Sequence, residues 1–175
     1  MLTFREGLND NDPQIIKNIA ASTGFFDKED IDTNYQLAHD WIKTNQNNRK
    51  CDVDFLLVEM EGKTIAYACF GKIPTTESSY ELYWLSTHNE YRGCGVGRLL
   101  MRQLIDKISQ SGGTKLFVKT DGTEQYLPTR RFYESCGFMQ EACLKGYYGD
   151  KDDCCIYSYK IPHINMETYN VLAAE

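Results

Sequence analysis

The chain has 175 residues and a formal net charge of −6, with 42% hydrophobic and 25% charged residues. That length fits one domain around one core, and 13% aromatic residues argue against a disordered chain. The acidic balance disfavours a general nucleic-acid binder, and no apolar run approaches the roughly 20 residues that span a bilayer.

The first predicted element is "LTFREGL" (2–8), which has β character and ends near Gly7. "NDNDPQIIKNIAAST" comes next as a helix, with Asn and Asp at its start, Pro13 in its first turn and Ile15, Ile16 and Ile19 on its apolar side. In "KEDIDTNYQLAHDWIKTN", Ile31, Tyr35, Ala38 and Ile42 recur at spacings of three or four, which predicts a second helix. Residues 53–61 and 63–73 are apolar runs around Gly62, a hairpin. Residues 81–87 form the fourth strand. "GRLLMRQLIDKISQSGG" carries Leu100, Leu104 and Ile108 every four residues and stops at two glycines. "KLFVKT" is a strand, "TRRFYESCG" a short helix, and residues 137–148 and 152–161 a closing hairpin. The alternation of strands and helices predicts an α/β chain with a mixed sheet. The unit from the fourth strand through the glycine turn and helix to the fifth should be a right-handed crossover joining parallel strands.

Seven cysteines contain no C-x-x-C pair and do not cluster with the three histidines, so no metal site is expected. The odd count, with no basic-then-apolar leader at Met1, suggests reduced thiols and a cytoplasmic location. Partners in nucleic acid or membrane are not expected, and a homodimer is left open.

The stretch "ELYWLSTHNEYRGCGVGRLL" (81–100) passes from strand to helix through three glycines in five positions. The first amides of a helix lack intrahelical partners and sit at the positive end of its dipole. Bare glycines there let an anion approach them. Arg92 and Arg98 flank the turn. The dinucleotide spacing G-x-G-x-x-G is not met, and the Gly-Lys-Ser/Thr of a phosphate loop is absent. A tight turn with glycines serving geometry alone also fits these three residues.

Arg92, Gly95 and Gly97 spell Arg-x-x-Gly-x-Gly, and residues 129–138 read "TRRFYESCGF". In these two blocks, in this order, the chain resembles the GNAT superfamily of N-acetyltransferases. The resemblance implies a GNAT-like mixed, mostly antiparallel sheet of six to seven strands with about four helices, splayed between the fourth and fifth strands. It implies one acetyltransferase domain over 1–162, then a C-terminal tail, 163–175. The implied function is transfer of an acetyl group from acetyl-CoA to an amine of a small molecule, peptide or protein, by direct attack in a ternary complex, with no metal. A non-catalytic CoA-binding sensor or interaction module is the alternative.

The resemblance also implies site residues. Glu81 stands where several family members keep a general base, and Tyr133 where the family places its general acid. A tyrosine with an ordinary pKa of about 10 stays protonated at neutral pH and can donate. Leu85, Ser86 and Thr87 would lie along the pantetheine arm. Arg92, Gly93, Cys94, Gly95, Val96, Gly97 and Arg98 would meet the pyrophosphate. Tyr126, in place of a frequent asparagine, and Arg130 would also contact the cofactor. Two departures stand out: Trp84 replaces a second acid, and Lys119 replaces an acid common in N-terminal acetylases. Cys136 is read as a small buried residue rather than an acyl carrier. On the acceptor side, Phe25 and Phe26 lie beside Asp27 and Asp30, Tyr147 and Tyr148 lie beside Asp150 and Asp152, and Tyr83 is the substrate-side residue of the fourth strand. Aromatics beside carboxylates suit a cationic amine, and the same loops also read as ordinary turn chemistry.

Overall fold

A computed structural model describes residues 1–162; the tail expected over 163–175 lies outside the described residues. In chain order the elements are β1 (Leu2–Glu6), α1 (Asp12–Ser22), α2 (Lys28–Gln46), β2 (Asp54–Met60), β3 (Lys63–Lys72), β4 (Ser79–Thr87), α3 (Val96–Gln110), β5 (Lys115–Asp121), α4 (Leu127–Ser135), β6 (Met139–Gly149) and β7 (Asp152–Lys160). One-turn 3-10 segments at Asn89–Tyr91 and Glu124–Tyr126 precede α3 and α4. The strands form one seven-stranded sheet, ordered β1-β2-β3-β4-β5-β7-β6. Every neighbouring pair is antiparallel except β4 and β5, the strands joined across α3. The GNAT-like mixed, mostly antiparallel sheet with four helices is therefore present.

Apolar clusters cover both faces of the sheet. On one face, Leu100, Met101, Leu104 and Ile108 of α3, with Tyr133 of α4, pack on Leu56, Val58, Ala66, Ala68, Leu82, Leu116 and Val118. On the other, Ile16, Ile19 and Ala38 of α1 and α2 pack on Phe55, Leu57, Tyr67 and Cys69. This explains why β2 and β3 read as near-continuous apolar runs: residues 55–58 and 64–71 are buried, as expected for strands covered on both sides.

The start of α1 departs from simple capping. Asn11 makes no side-chain cap. Asp12 is fully buried and accepts two bonds from the Arg5 guanidinium, both at 2.9 Å, and the Asn9 amide at 2.6 Å. Arg5 also donates to Glu59 at 2.6 Å. One cation thus ties β1, α1 and β2 together. By contrast, Asp27 caps α2 in the ordinary way, accepting the Asp30 amide at 2.8 Å.

Two features of β4 open the sheet. First, its register with β3 shifts at Cys69/Phe70, which pair with Trp84 and Leu82 and leave Tyr83 without a partner. This bulge ends the plain alternation of Glu81, Tyr83, Leu85 and Thr87. Leu82 and Leu85 both pack under α3, while Trp84 packs against the α1–α2 cluster. Second, the parallel pairing with β5 runs only from Ser79↔Lys115 to Leu82↔Val118. Beyond it the strands part. The loss of pairing coincides with the bulge, which bends the strand away from its neighbour.

Candidate acyl-transfer site

The parted strands enclose a cavity of about 630 Å³. Its two arms are Tyr83–Thr87 of β4 and Lys119–Asp121 of β5, with α3, α4 and the α1–α2 loop closing over them.

The β4 arm leads into the glycine turn. Gly95 is the N-cap of α3, in the left-handed region at φ 83°, and Gly93 has φ 76°. A side chain at either position would meet no atom within 4 Å. The turn therefore needs glycine for its backbone, and open space lies in front of it. Gly97 has no such conformation; a Cβ there would touch Phe132 at 3.5 Å. Arg92, Gly93, Gly95, Val96, Gly97 and Arg98 line the cavity, whereas Cys94 is not among the lining residues and is exposed. The Arg92 guanidinium lies 4.9 Å from the centre of the Phe25 ring, and Arg98 is held by Ser135, donating to its carbonyl at 2.7 Å and its hydroxyl at 3.0 Å. Leu85, Ser86 and Thr87 also line the cavity, on a strand edge that has lost its β5 partner. A diphosphate at the amides and an extended amide chain along that edge match these groups, so the residues present fit CoA.

Tyr133 reaches the cavity from α4. Its ring packs against Phe132, Phe138 and Tyr157, at centroid distances of 5.6, 5.7 and 6.3 Å. Burial holds its hydroxyl well above the ordinary phenol pKa. It stays protonated at neutral pH and has no hydrogen-bond partner among the described residues.

The β5 arm is acidic. Asp121, Asp152 at the head of β7 and Asp30 of α2 line the cavity on this side, with Phe25, Phe26, Tyr126 and Tyr148, and Tyr83 and Trp84 face them from β4. Phe26 meets the Trp84 ring edge-on at 5.4 Å. Desolvation and the surrounding carboxylates of Asp30, Asp121, Asp27 and Asp152 push the Tyr126 phenol up. Burial raises the Asp30 carboxyl, with Asp27 adding repulsion.

Besides Cys94, three expected residues sit outside the lining. Glu81 lies outside the cavity lining, bonded to the Lys119 ammonium at 3.0 Å; that bond raises the Lys119 pKa. Arg130 donates to the backbone carbonyls of Asp121 and Thr123, both at 2.8 Å, and so fixes the loop after β5. Tyr147 is exposed and packs edge-on against Tyr148, which occupies the wall instead. Asp121 was missed by sequence reasoning. Extending the fifth strand by one residue would have found it.

A mixed sheet opened between two parallel strands, over a helix start with bare amides, defines the class. The chain belongs to the acetyltransferase (GNAT) family, whose sequence profile matches residues 16–138. Among individual relatives, a Desulfovibrio desulfuricans protein assigned to the GNAT acetyltransferases is 33% identical, with a TM-score of 0.86 over 93% of this chain and 100% of that one. The N-alpha-acetyltransferase RimI of Mycobacterium tuberculosis is 30% identical over 88 residues, 50% of this chain and 52% of the relative. The chain thus spans about half the length of that curated relative. The ribosomal-protein-S18-alanine N-acetyltransferase of Escherichia coli shares the fold, at 21% identity and a TM-score of 0.68 over 92% of this chain and 94% of that one.

Proposed function

We propose that this protein is an N-acetyltransferase that passes the acetyl group of acetyl-CoA directly to a bound amine. The observation that carries the reading is that one cavity joins an anion-seeking helix start on one arm to a protonated, unpartnered tyrosine hydroxyl and an acidic, aromatic arm. The amides of residues 93–98, Cys94 included, would take the pyrophosphate, with charge from Arg92 and Arg98. The free edge at Leu85–Thr87 would pair with the pantetheine. Tyr126 would contact the cofactor from the far wall, and Arg130 would hold the loop that carries it.

Acetyl transfer needs a neutral amine nucleophile and a proton for the departing thiolate. Tyr133 fits the second role. For the first, Glu81 would work through water across the Lys119 contact, and Asp30, Asp121 and Asp152 line the cavity itself. The acceptor is read as a cationic amine, held by ring faces and carboxylates at Phe25, Phe26, Tyr83 and Tyr148, with Tyr147 at the rim. A homodimer contact would use β6, an edge strand of the sheet on which Met139, Leu144 and Tyr147 are exposed. Among the described residues no helix is long and apolar enough to cross a membrane.

The test is thiol release from acetyl-CoA with a panel of amines, comparing the wild type with Tyr133→Phe. Phenylalanine keeps the ring packing and strands no protein partner. The expected result is kcat lowered about 100-fold with CoA affinity unchanged. CoA binding without thiol release for any amine would overturn the enzyme and leave a non-catalytic CoA-binding module.

A further inference from the structure

Asp121 ends β5 and Asp152 begins β7, so the antiparallel pairing of those strands brings two carboxyl groups to the acidic arm of the cavity. The register sets Asp121 opposite Cys154, so Asp152 lies two residues along β7, and both residues line the cavity. Asp121 Oδ1 already accepts the Thr123 amide at 2.7 Å. Asp152 Oδ1 is wholly buried and has no hydrogen-bond partner among the described residues. Two ionised carboxyls only accept, so the donor the pair lacks is one that an acceptor ammonium would bring. Two carboxylates sharing a site do not ionise independently, and one of them becomes the more basic. Desolvation and then Asp121 raise the Asp152 carboxyl, in keeping with this.

The other charged groups around the pair are accounted for. Lys119 on β5 is bonded to Glu81. Asp153 on β7 is engaged by Lys145 at 2.7 Å and the Gly146 amide at 3.0 Å. Arg130 of α4 is spent on backbone carbonyls. Tyr126, Tyr148 and Asp30 face the pair from the remaining walls, and burial pushes both phenols above their ordinary range.

We propose that Asp152, paired with Asp121, is the general base that takes the proton from the bound acceptor ammonium. The proposal rests on the acetyltransferase reading. The ammonium, R–NH3+, docks against the paired carboxylates and gives one proton to Asp152, leaving R–NH2 and a pair of net charge −1. The nitrogen lone pair forms the N–C bond to the thioester carbonyl carbon, the C–S bond breaks, and its electron pair stays on sulfur. The second nitrogen proton reaches that sulfur by way of the Tyr133 hydroxyl, giving the free thiol. The pair then returns its proton to water. Asp121 holds Asp152 basic and is a positioning residue.

The experiment measures kcat/KM against pH for acetylation of 1,5-diaminopentane, n-pentylamine and an Ala-Arg dipeptide, by thiol release from acetyl-CoA. In the wild type, the profile flattens above the ionisation of the pair. Asp152→Asn should lower kcat/KM about 100-fold at pH 7. Its residual rate should rise about tenfold per pH unit, tracking the free amine in solution, while CoA affinity and the thermal midpoint at pH 7 do not fall. Asp152→Glu should restore part of the rate. Asp121→Asn, which removes the neighbouring charge, should move the acidic limb to lower pH. An Asp152→Asn enzyme with the wild-type profile and a rate within about threefold overturns the proposal and leaves the acetyltransferase reading standing. So does a lost limb in Glu81→Gln alone. A wild type that binds CoA and releases no thiol with any of the three probes overturns both.

Discussion

At the scale of single residues, the glycine turn separates two demands that look alike in sequence. Gly93 and Gly95 adopt backbone that other L-residues adopt at about 1–2 kcal/mol each; Gly97 does not. Gly95→Ala should therefore lower the thermal midpoint and weaken CoA binding together. Gly97→Ala, whose added methyl meets only ordinary contacts, should weaken CoA binding while the midpoint holds. Calorimetric titration of both variants beside thermal melts checks the split. The turn and Tyr133 were legible because each lies in a short contiguous block with a chemical reason for its residue types. Asp121 and Asp152 were not legible as a pair. They are 31 positions apart and reach one cavity only through the β5–β7 register. Asp152 also carries a stability consequence. A carboxyl raised in the folded state contributes stability below its unfolded pKa, and that contribution is lost as pH rises through the folded value. Asp152→Asn should therefore melt no lower than wild type at pH 7, and the difference should vanish in acid.

At the scale of elements, the helices and the β2–β3 hairpin arise from apolar periodicity, which a sequence carries openly. The boundaries that moved have local causes. The fourth strand starts at Ser79 rather than Glu81 because its first residues pair with Lys115 and Leu116. The fourth helix starts at Leu127 because Pro128 suits a first helical turn. The bulge at Tyr83 has no such marker. It arises from two covered faces competing for Leu82, Trp84 and Leu85, and it carries Glu81 away from the cavity toward Lys119. The buried Arg5–Asp12 pair was equally hidden, since Asp12 reads as a helix-start acid until β1 is folded against it. Arg5→Ala leaves that carboxylate without its cation and should destabilise the fold by about 3 kcal/mol. Denaturant titration of the variant measures this, and Asp12→Asn should recover part of the loss in the double variant.

At the scale of the whole molecule, the sheet is closed tightly at one end and opened at the other by the loss of one parallel pairing. One cluster runs beneath both arms of the opening, from Leu56 and Val58 of β2 to Leu116 and Val118 of β5 and Tyr157 of β7, while the other joins α1 and α2 to β2 and β3. Its polarity comes from which chain ends meet there: a helix start with arginines on the β4 side, strand ends with carboxylates on the β5 side. Family membership was readable from 81 to 138; the charge division of the cavity needed the sheet order, which places β7 beside β5. The central claim is that this opening is the CoA cleft. Backbone hydrogen exchange with and without saturating CoA tests it directly. The account predicts slowed exchange confined to the amides of residues 84–87 and 93–98, with Ala substitution at Gly97 reducing the protection. CoA binding with protection elsewhere and none at these amides would contradict it.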